Sequence, residues 1–146
     1  MRLERVGRIE LVYTEVDEEI PFSEGGLVYG ILTGKIEGGE MQGRLHATNH
    51  ARQRPDGVFT PALRGVVTTD AGARVFFTMD GLSVRDPAAQ PPRRVVTVGL
   101  TFWTTDAALK PWNEAYFVAE LEGGAIGESW GVVGPLYRCV AELGAK

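Results

Sequence analysis

Apolar and polar residues alternate along much of this chain, the period expected when successive side chains of an extended backbone point to opposite faces of a sheet. Over residues 2–16, Ile9, Leu11 and Tyr13 oppose Arg8, Glu10 and Val12, which predicts a long first strand. Further strands are predicted over 27–36, 41–48, 61–69, 73–80, 95–104, 115–121 and 136–143. Between them lie turn signals. Asp56-Gly57 closes a loop at 49–56, Asp70-Ala71-Gly72 reads as a hairpin connection, and Asp80-Gly81 reads as a turn. The segment 86–92 carries three prolines and is expected to be an extended loop. A helical turn is predicted over 106–109, ended by Pro111. The triplet Glu-Gly-Gly beginning at Glu24, Glu37 and Glu122 sits at the edge of apolar runs and reads as turns.

The strands have to close on themselves or stack. In 95–103 both alternating faces carry apolar residues, whereas an antiparallel strand wetted on one side alternates cleanly. Gly30, Gly43, Gly65 and Gly99 fall inside strand-like runs, where a missing side chain suits the bends of a closing sheet. An all-β single antiparallel β-barrel with one short helical turn is therefore expected, assembled as a homo-oligomer.

Length and charge narrow the function. The 146 residues form one domain over 1–146, large enough to wrap a small cavity. A net charge of -4 with scattered basic residues gives no footprint for nucleic acid, so no nucleic-acid partner is expected. No apolar run is long enough for a membrane span and 1–5 alternates charge, so no membrane partner and a cytoplasmic location are expected. The lone Cys139 excludes an internal disulfide framework and reads as an inert thiol in a strand.

Candidate chemistry is sparse. No His-x-His pair, cysteine cluster or nucleophile elbow is present, so no metal and no cofactor are expected. His46 and His50, the two histidines, flank Asn49 where the third strand ends. An imidazole titrates near neutrality, so His50 is a candidate general acid or base; the plain alternative is a solvated loop histidine. Asn113 can polarise a carbonyl or hold an oxyanion, or else satisfy loop carbonyls beside Trp112. Arg54 can grip a carboxylate through its fork or pair with Asp56. Trp103 and Trp112 can stack on a flat ligand or serve as core and interface anchors, and Tyr29 and Tyr116 are aromatic candidates with a polar tip.

The spacing Phe102-x-Thr104-x-Asp106-x-x-Leu109-x-x-x-Asn113 resembles the C-terminal signature of the domain of unknown function 3237 (UPF0311) family. Gly43-Arg44-Leu45 leading through Asn49-His50 to Arg54-Pro55-Asp56-Gly57 resembles that family's glycine-rich loop, and Thr69-Asp70-Ala71-Gly72-Ala73 its hairpin. Where relatives carry an Asp-Trp pair this chain has Asn49-His50, so the acid-base role of such an Asp would pass to His50. The resemblance implies a small antiparallel barrel of lipocalin-like outline, often oligomeric, with no settled substrate.

The function expected is a small-molecule-binding barrel acting as a cofactor-independent isomerase, cyclase or lyase on an apolar, oxygenated ligand. In that scheme His50 moves a proton, Asn113 and Arg54 stabilise negative charge, and Tyr29, His46, Asn49, Trp103, Trp112 and Tyr116 line the ligand site. The alternatives are a carrier barrel without turnover and an assembly module whose lumen is filled by side chains.

Overall fold

The computed structural model describes residues 1–17, 20–22 and 25–144; Glu24 lies outside them. Among the described residues ten strands form, β1 (Arg2–Val16), β2 (Ile20–Phe22), β3 (Gly25–Gly38), β4 (Met41–Gln53), β5 (Phe59–Thr60), β6 (Ala62–Thr69), β7 (Arg74–Asp86), β8 (Arg93–Trp103), β9 (Tyr116–Ile126) and β10 (Ser129–Val140). Between β8 and β9 a 3-10 turn (Ala107–Leu109) runs into a one-turn helix, α1 (Lys110–Asn113). Eight of the strands close into an antiparallel ring in the order β1-β3-β4-β6-β7-β8-β9-β10, and β10 returns to β1 with Arg2 opposite Val140 and Val12 opposite Gly131. The short β2 and β5 extend the sheet at one end of the ring, beside β3 and between β4 and β7. The chain is thus an all-β barrel with one short helical element, and no described helix is long and apolar enough to cross a membrane.

Alternation decides what lies inside. Ile9 and Leu11 of β1, Met41, Leu45 and Ala47 of β4, and Val96, Val98, Leu100 and Phe102 of β8 are buried while their neighbours in sequence face out. At the end of the ring where β3 turns into β4, the lumen is solid. Trp112 stacks on Phe117 at 4.6 Å, and Phe102 meets both edge-on at 5.2 and 5.1 Å. Burying aromatic side chains of this size supplies much of the apolar stabilisation of a small barrel, and the edge-on geometry suits the ring quadrupoles.

Several boundaries differ from the sequence pattern for identifiable reasons. The loop expected at 49–56 begins only after Gln53, because Asn49 and His50 are held in the ladder by Gly30 and Tyr29 on one side and, at Asn49, by Leu63 on the other. Pairing on both flanks outweighs the weak strand preference of Asn. Asp80-Gly81 is not a turn but mid-strand in β7, where a Cβ on Gly81 would lie 2.0 Å from the Thr97 carbonyl oxygen. Likewise Glu122-Gly123-Gly124 lies within β9, and β10 begins at Ser129 rather than at 136. Pro111 lies in the first turn of α1 instead of ending a helix, since a proline there gives up an N–H that has no intrahelical partner.

The turn that carries Asn113 is clamped. The Thr104 N–H donates to Asn113 Oδ1 at 2.9 Å, and Asn113 Nδ2 donates to the Thr104 carbonyl at 2.8 Å. Both atoms of the amide are spent on the exit of β8. Replacing it by alanine orphans a partly buried N–H and C=O pair, so Asn113→Ala is expected to lower stability by about 1–3 kcal/mol in urea titration. A variant as stable as the parent would show that the clamp contributes nothing.

Candidate functional site

At the opposite end, where β1 leaves the ring and β9 turns into β10, the lumen is not filled. A cavity of about 310 Å³ opens there between Val16, Val28, Leu32, Leu63, Val96 and Leu121, with Trp130 at its mouth. Its walls are apolar, and its polar side-chain groups come from Tyr13, Asn49, Ser83 and Arg94, with the indole of Trp130 at the mouth. That is the composition of a small-ligand site: mostly hydrophobic walls with a few placed polar groups, at the small end of the usual range of about 300–1,000 Å³.

Tyr13 reaches the cavity because it continues the inward parity of Ile9 and Leu11, and β1 bulges just beyond it. The register against β3 shifts between Tyr13 and Glu15, so that Val16, three residues on, again faces the lumen. The ring then lies on Gly30 of β3, where a Cβ would come within 2.3 Å of it. Trp130 sits similarly over Gly123 of β9, with a Cβ position 2.8 Å from the indole, and its ring lies 6.0 Å from that of Tyr13. Glycines opposite lumen aromatics are therefore what lets the two rings lie against the wall.

The polar centre of the cavity is an oriented pair. The Ala62 N–H donates to Asn49 Oδ1 at 3.0 Å, which fixes the amide and leaves Nδ2 to donate to the Tyr13 hydroxyl oxygen at 2.7 Å. Since that oxygen accepts, its own hydrogen is left to donate, and among the described residues no acceptor takes it. Burial raises the Tyr13 pKa above the ordinary phenol value, with the Asn49 hydrogen bond opposing more weakly. The phenol is consequently a neutral donor across the physiological range.

Arg94 holds the mouth. Its Nε donates to Ser83 Oγ at 2.8 Å and Nη2 to the Ser83 and Gly57 carbonyls at 2.8 and 3.0 Å, while the guanidinium lies 4.8 Å from the centre of the Phe59 ring. Desolvation, and then the Arg85 charge, lower its pKa.

Of the residues expected from sequence to form the site, only Asn49 lines the cavity. His46 and His50 alternate with buried Leu45, Ala47, Asn49 and Ala51 and so occupy the outer face, which corrects the proton-transfer role given to His50 in the lumen. Four residues of strand also separate the two imidazoles by roughly 13 Å along β4. His50 packs edge-on against Tyr29, another outer-face residue, at 5.1 Å. Arg54 is exposed and paired with Asp56, the structural alternative named for it, and Asn113 is the clamp described above. Trp112 is buried in the solid end of the barrel, Trp103 is 58% exposed beside Phe76 on the outside, and Tyr116 lies over Gly99 on the outer face. Tyr13, Ser83, Arg94 and Trp130 were not expected; the signal for Tyr13 and Trp130 is an aromatic on a lumen-facing position opposite a glycine, which needs the strand pairing to be read.

No family model matches the chain, and no curated protein matches it. Solved structures do. It is similar to a β-barrel-like protein from Acinetobacter baumannii at 16% identity, covering 94% of this chain and 94% of that chain with a TM-score of 0.80. A protein of unknown function from Clostridium acetobutylicum is 21% identical, with 96% and 100% covered and a TM-score of 0.75. An enzyme from Penicillium herquei is 17% identical, with 94% and 92% covered and a TM-score of 0.61. These likenesses establish the β-barrel fold.

The raised Tyr13 pKa sets a pH dependence. A group whose pKa is higher in the folded chain favours folding while it is protonated in both states, and that contribution is lost as pH rises past the unfolded value of about 10. The stability of the parent relative to Tyr13→Phe should therefore be constant from pH 7 to 9 and fall above pH about 10. Urea titrations at pH 7, 9 and 10.5 measure it, and an unchanging difference would contradict a desolvated hydroxyl.

Proposed function

We propose that this chain is a small-molecule-binding barrel whose lumen takes a compact, apolar ligand carrying an oxygen acceptor, which the Tyr13 hydroxyl engages. The observation that carries the reading is the Tyr13–Asn49 pair: a mostly apolar cavity contains a hydroxyl whose oxygen already accepts a hydrogen bond, which leaves its hydrogen free to donate. A buried donor without an acceptor costs free energy that a ligand oxygen would recover. The filled end of the barrel gives the guest a floor, and the loops after β4 and β7 lie at the open end of the ring. The order of the Gly43–Gly57, Thr69–Ala73 and Phe102–Asn113 motifs supports placement in the UPF0311 family as part of the same proposal. The expected homo-oligomer is proposed to use the outer face of β7 and β8, where Phe76 and Trp103 are exposed.

Turnover is the second reading, favoured by the enzyme among the structural neighbours. In this chain Tyr13 would supply the electrophilic half of an isomerisation, cyclisation or elimination by hydrogen-bonding a substrate carbonyl as negative charge develops on it. Asn49 would hold the phenol in place. Among the described residues lining the cavity there is no carboxylate or imidazole, so the base would have to be a substrate group or water.

The solvatochromic ketone prodan probes the binding reading directly. It is expected to bind with blue-shifted emission, to bind about 3–10-fold more weakly to Tyr13→Phe through loss of one hydrogen bond, and to be excluded by Val28→Trp, which fills the cavity. His50→Ala should bind it as the parent does. Binding that survives Val28→Trp would place the ligand elsewhere. Mass spectrometry of ligands found by thermal-shift screening then separates carrier from catalyst.

A further inference from the structure

Two consecutive arginines at the start of β8 meet opposite fates. Arg93 faces outward, where its Nε lies 3.0 Å from Asp86 and its Nη1 3.2 Å from Glu122. Arg94, one residue on, faces the lumen and has no carboxylate partner among the described residues. Its hydrogen-bond acceptors are neutral, a serine hydroxyl and two carbonyls, and the Phe59 ring beneath it is no counter-ion. Directly opposite in the β7–β8 ladder is Arg85, which strand alternation puts on the same inner face at the rim two residues beyond buried Ser83. Arg85 has no acidic partner among the described residues either, and like charges set directly across a sheet repel.

The arrangement is one-sided. The acids nearest in the ladder, Asp86 and Glu122, are both used on the outside, so the inner face of the mouth carries two cations above an apolar cavity. Charge placed at the edge of a low-dielectric cavity is under-solvated, and an anion brought there restores what burial removes. Arg94 is also held rigidly, by three hydrogen bonds and an aromatic ring, so docking an anion on its remaining edge freezes little further motion.

We infer that the ligand is an amphipathic organic carboxylate, its anionic head seated between Arg94 and Arg85 at the mouth and its apolar body in the lumen beneath. This rests on the lumen-binding reading and adds the charge of the guest. The body lies along Leu32, Leu63, Val96 and Leu121, and an oxygen farther along it meets the Tyr13 hydroxyl. Arg94 offers the head the two N–H groups of Nη1, its other three being taken by Ser83 and Gly57, and Arg85 adds charge from the rim.

The test compares 2-naphthoate with its neutral isostere 2-naphthamide by isothermal titration calorimetry at pH 7.5, with prodan as the neutral control for the lumen. The parent is expected to prefer the carboxylate at least tenfold. In Arg94→Gln the preference should fall to near unity, in Arg94→Lys most of it should remain, and in Arg85→Gln, which disturbs none of the hydrogen bonds around Ser83, it should drop about threefold. Circular dichroism confirms that each variant is folded, and the Arg85→Gln arm decides the matter should Arg94→Gln fail to fold. A parent that binds both naphthalenes alike, or a preference that survives both neutralising substitutions, overturns the inference while prodan binding leaves the lumen reading standing. Failure of all three compounds to bind overturns both.

Discussion

The seam between β1 and β10 is the contact from which the site follows. It joins residues 2–12 to 131–140, nearly the full length of the chain apart, and it is the pairing that converts a meander of hairpins into a ring. Until it forms, Leu11, Val132 and Leu136 have no closed interior to occupy, and the strands at either end present unpaired edges. Once it forms, the period of two along each strand assigns every residue to lumen or surface. Tyr13 and Trp130 come together only because this seam brings their strands side by side. A shift of register by one residue would exchange the lining of the cavity for the outer face.

Closure alone gives a tube; the different filling of its two ends gives a pocket. At one end α1 lowers Trp112 onto Phe117 and Phe102, and the Arg138 guanidinium lies over both the Trp112 and Phe117 rings at 5.8 and 5.6 Å. The Asn113 clamp fixes that plug to the end of β8. At the other end the lumen residues are smaller or held to the wall, Val28, Ala51 and Ser83 among them, while Tyr13 and Trp130 lie against glycines. A plug of aromatics and a mouth of small residues are complementary devices: the first stabilises the barrel so that the second can remain unfilled.

Fold and site were unequally legible in the sequence. Strand positions, the full extent of β1 and the closed all-β architecture follow from local alternation and turn residues, and these are properties of short stretches. The site is a property of pairing. Asn49 was found because an amide beside two histidines stands out, but its partner Tyr13 lies in another strand and becomes visible only with the β1–β3 register. His50 misled for a related reason. Reading 49–56 as a loop removed the alternation that puts Asn49 in and His50 out, and with it the distinction between the two. Polar residues in loops commonly serve function, whereas in a barrel strand their parity decides first. Trp112 and Asn113 misled differently: their density of chemistry is real, but it is spent on the plug.

The same parity gives the polar groups of the lumen their meaning. In an apolar cavity a hydroxyl, an amide and a guanidinium each cost desolvation, and a barrel selected for stability alone would have replaced them with hydrocarbon. Asn49 recovers its cost through the Ala62 N–H and the Tyr13 oxygen, and Ser83 does so through Arg94. What is left over is specific: one phenolic hydrogen in the cavity and positive charge at its mouth. Structural roles account for the satisfied halves of these networks and not for the unsatisfied ones, which face a common space large enough for a guest. On the proposed reading the guest is apolar between two polar points, accepting a hydrogen at one and carrying negative charge at the other, a pattern narrower than the shape of the barrel alone would select.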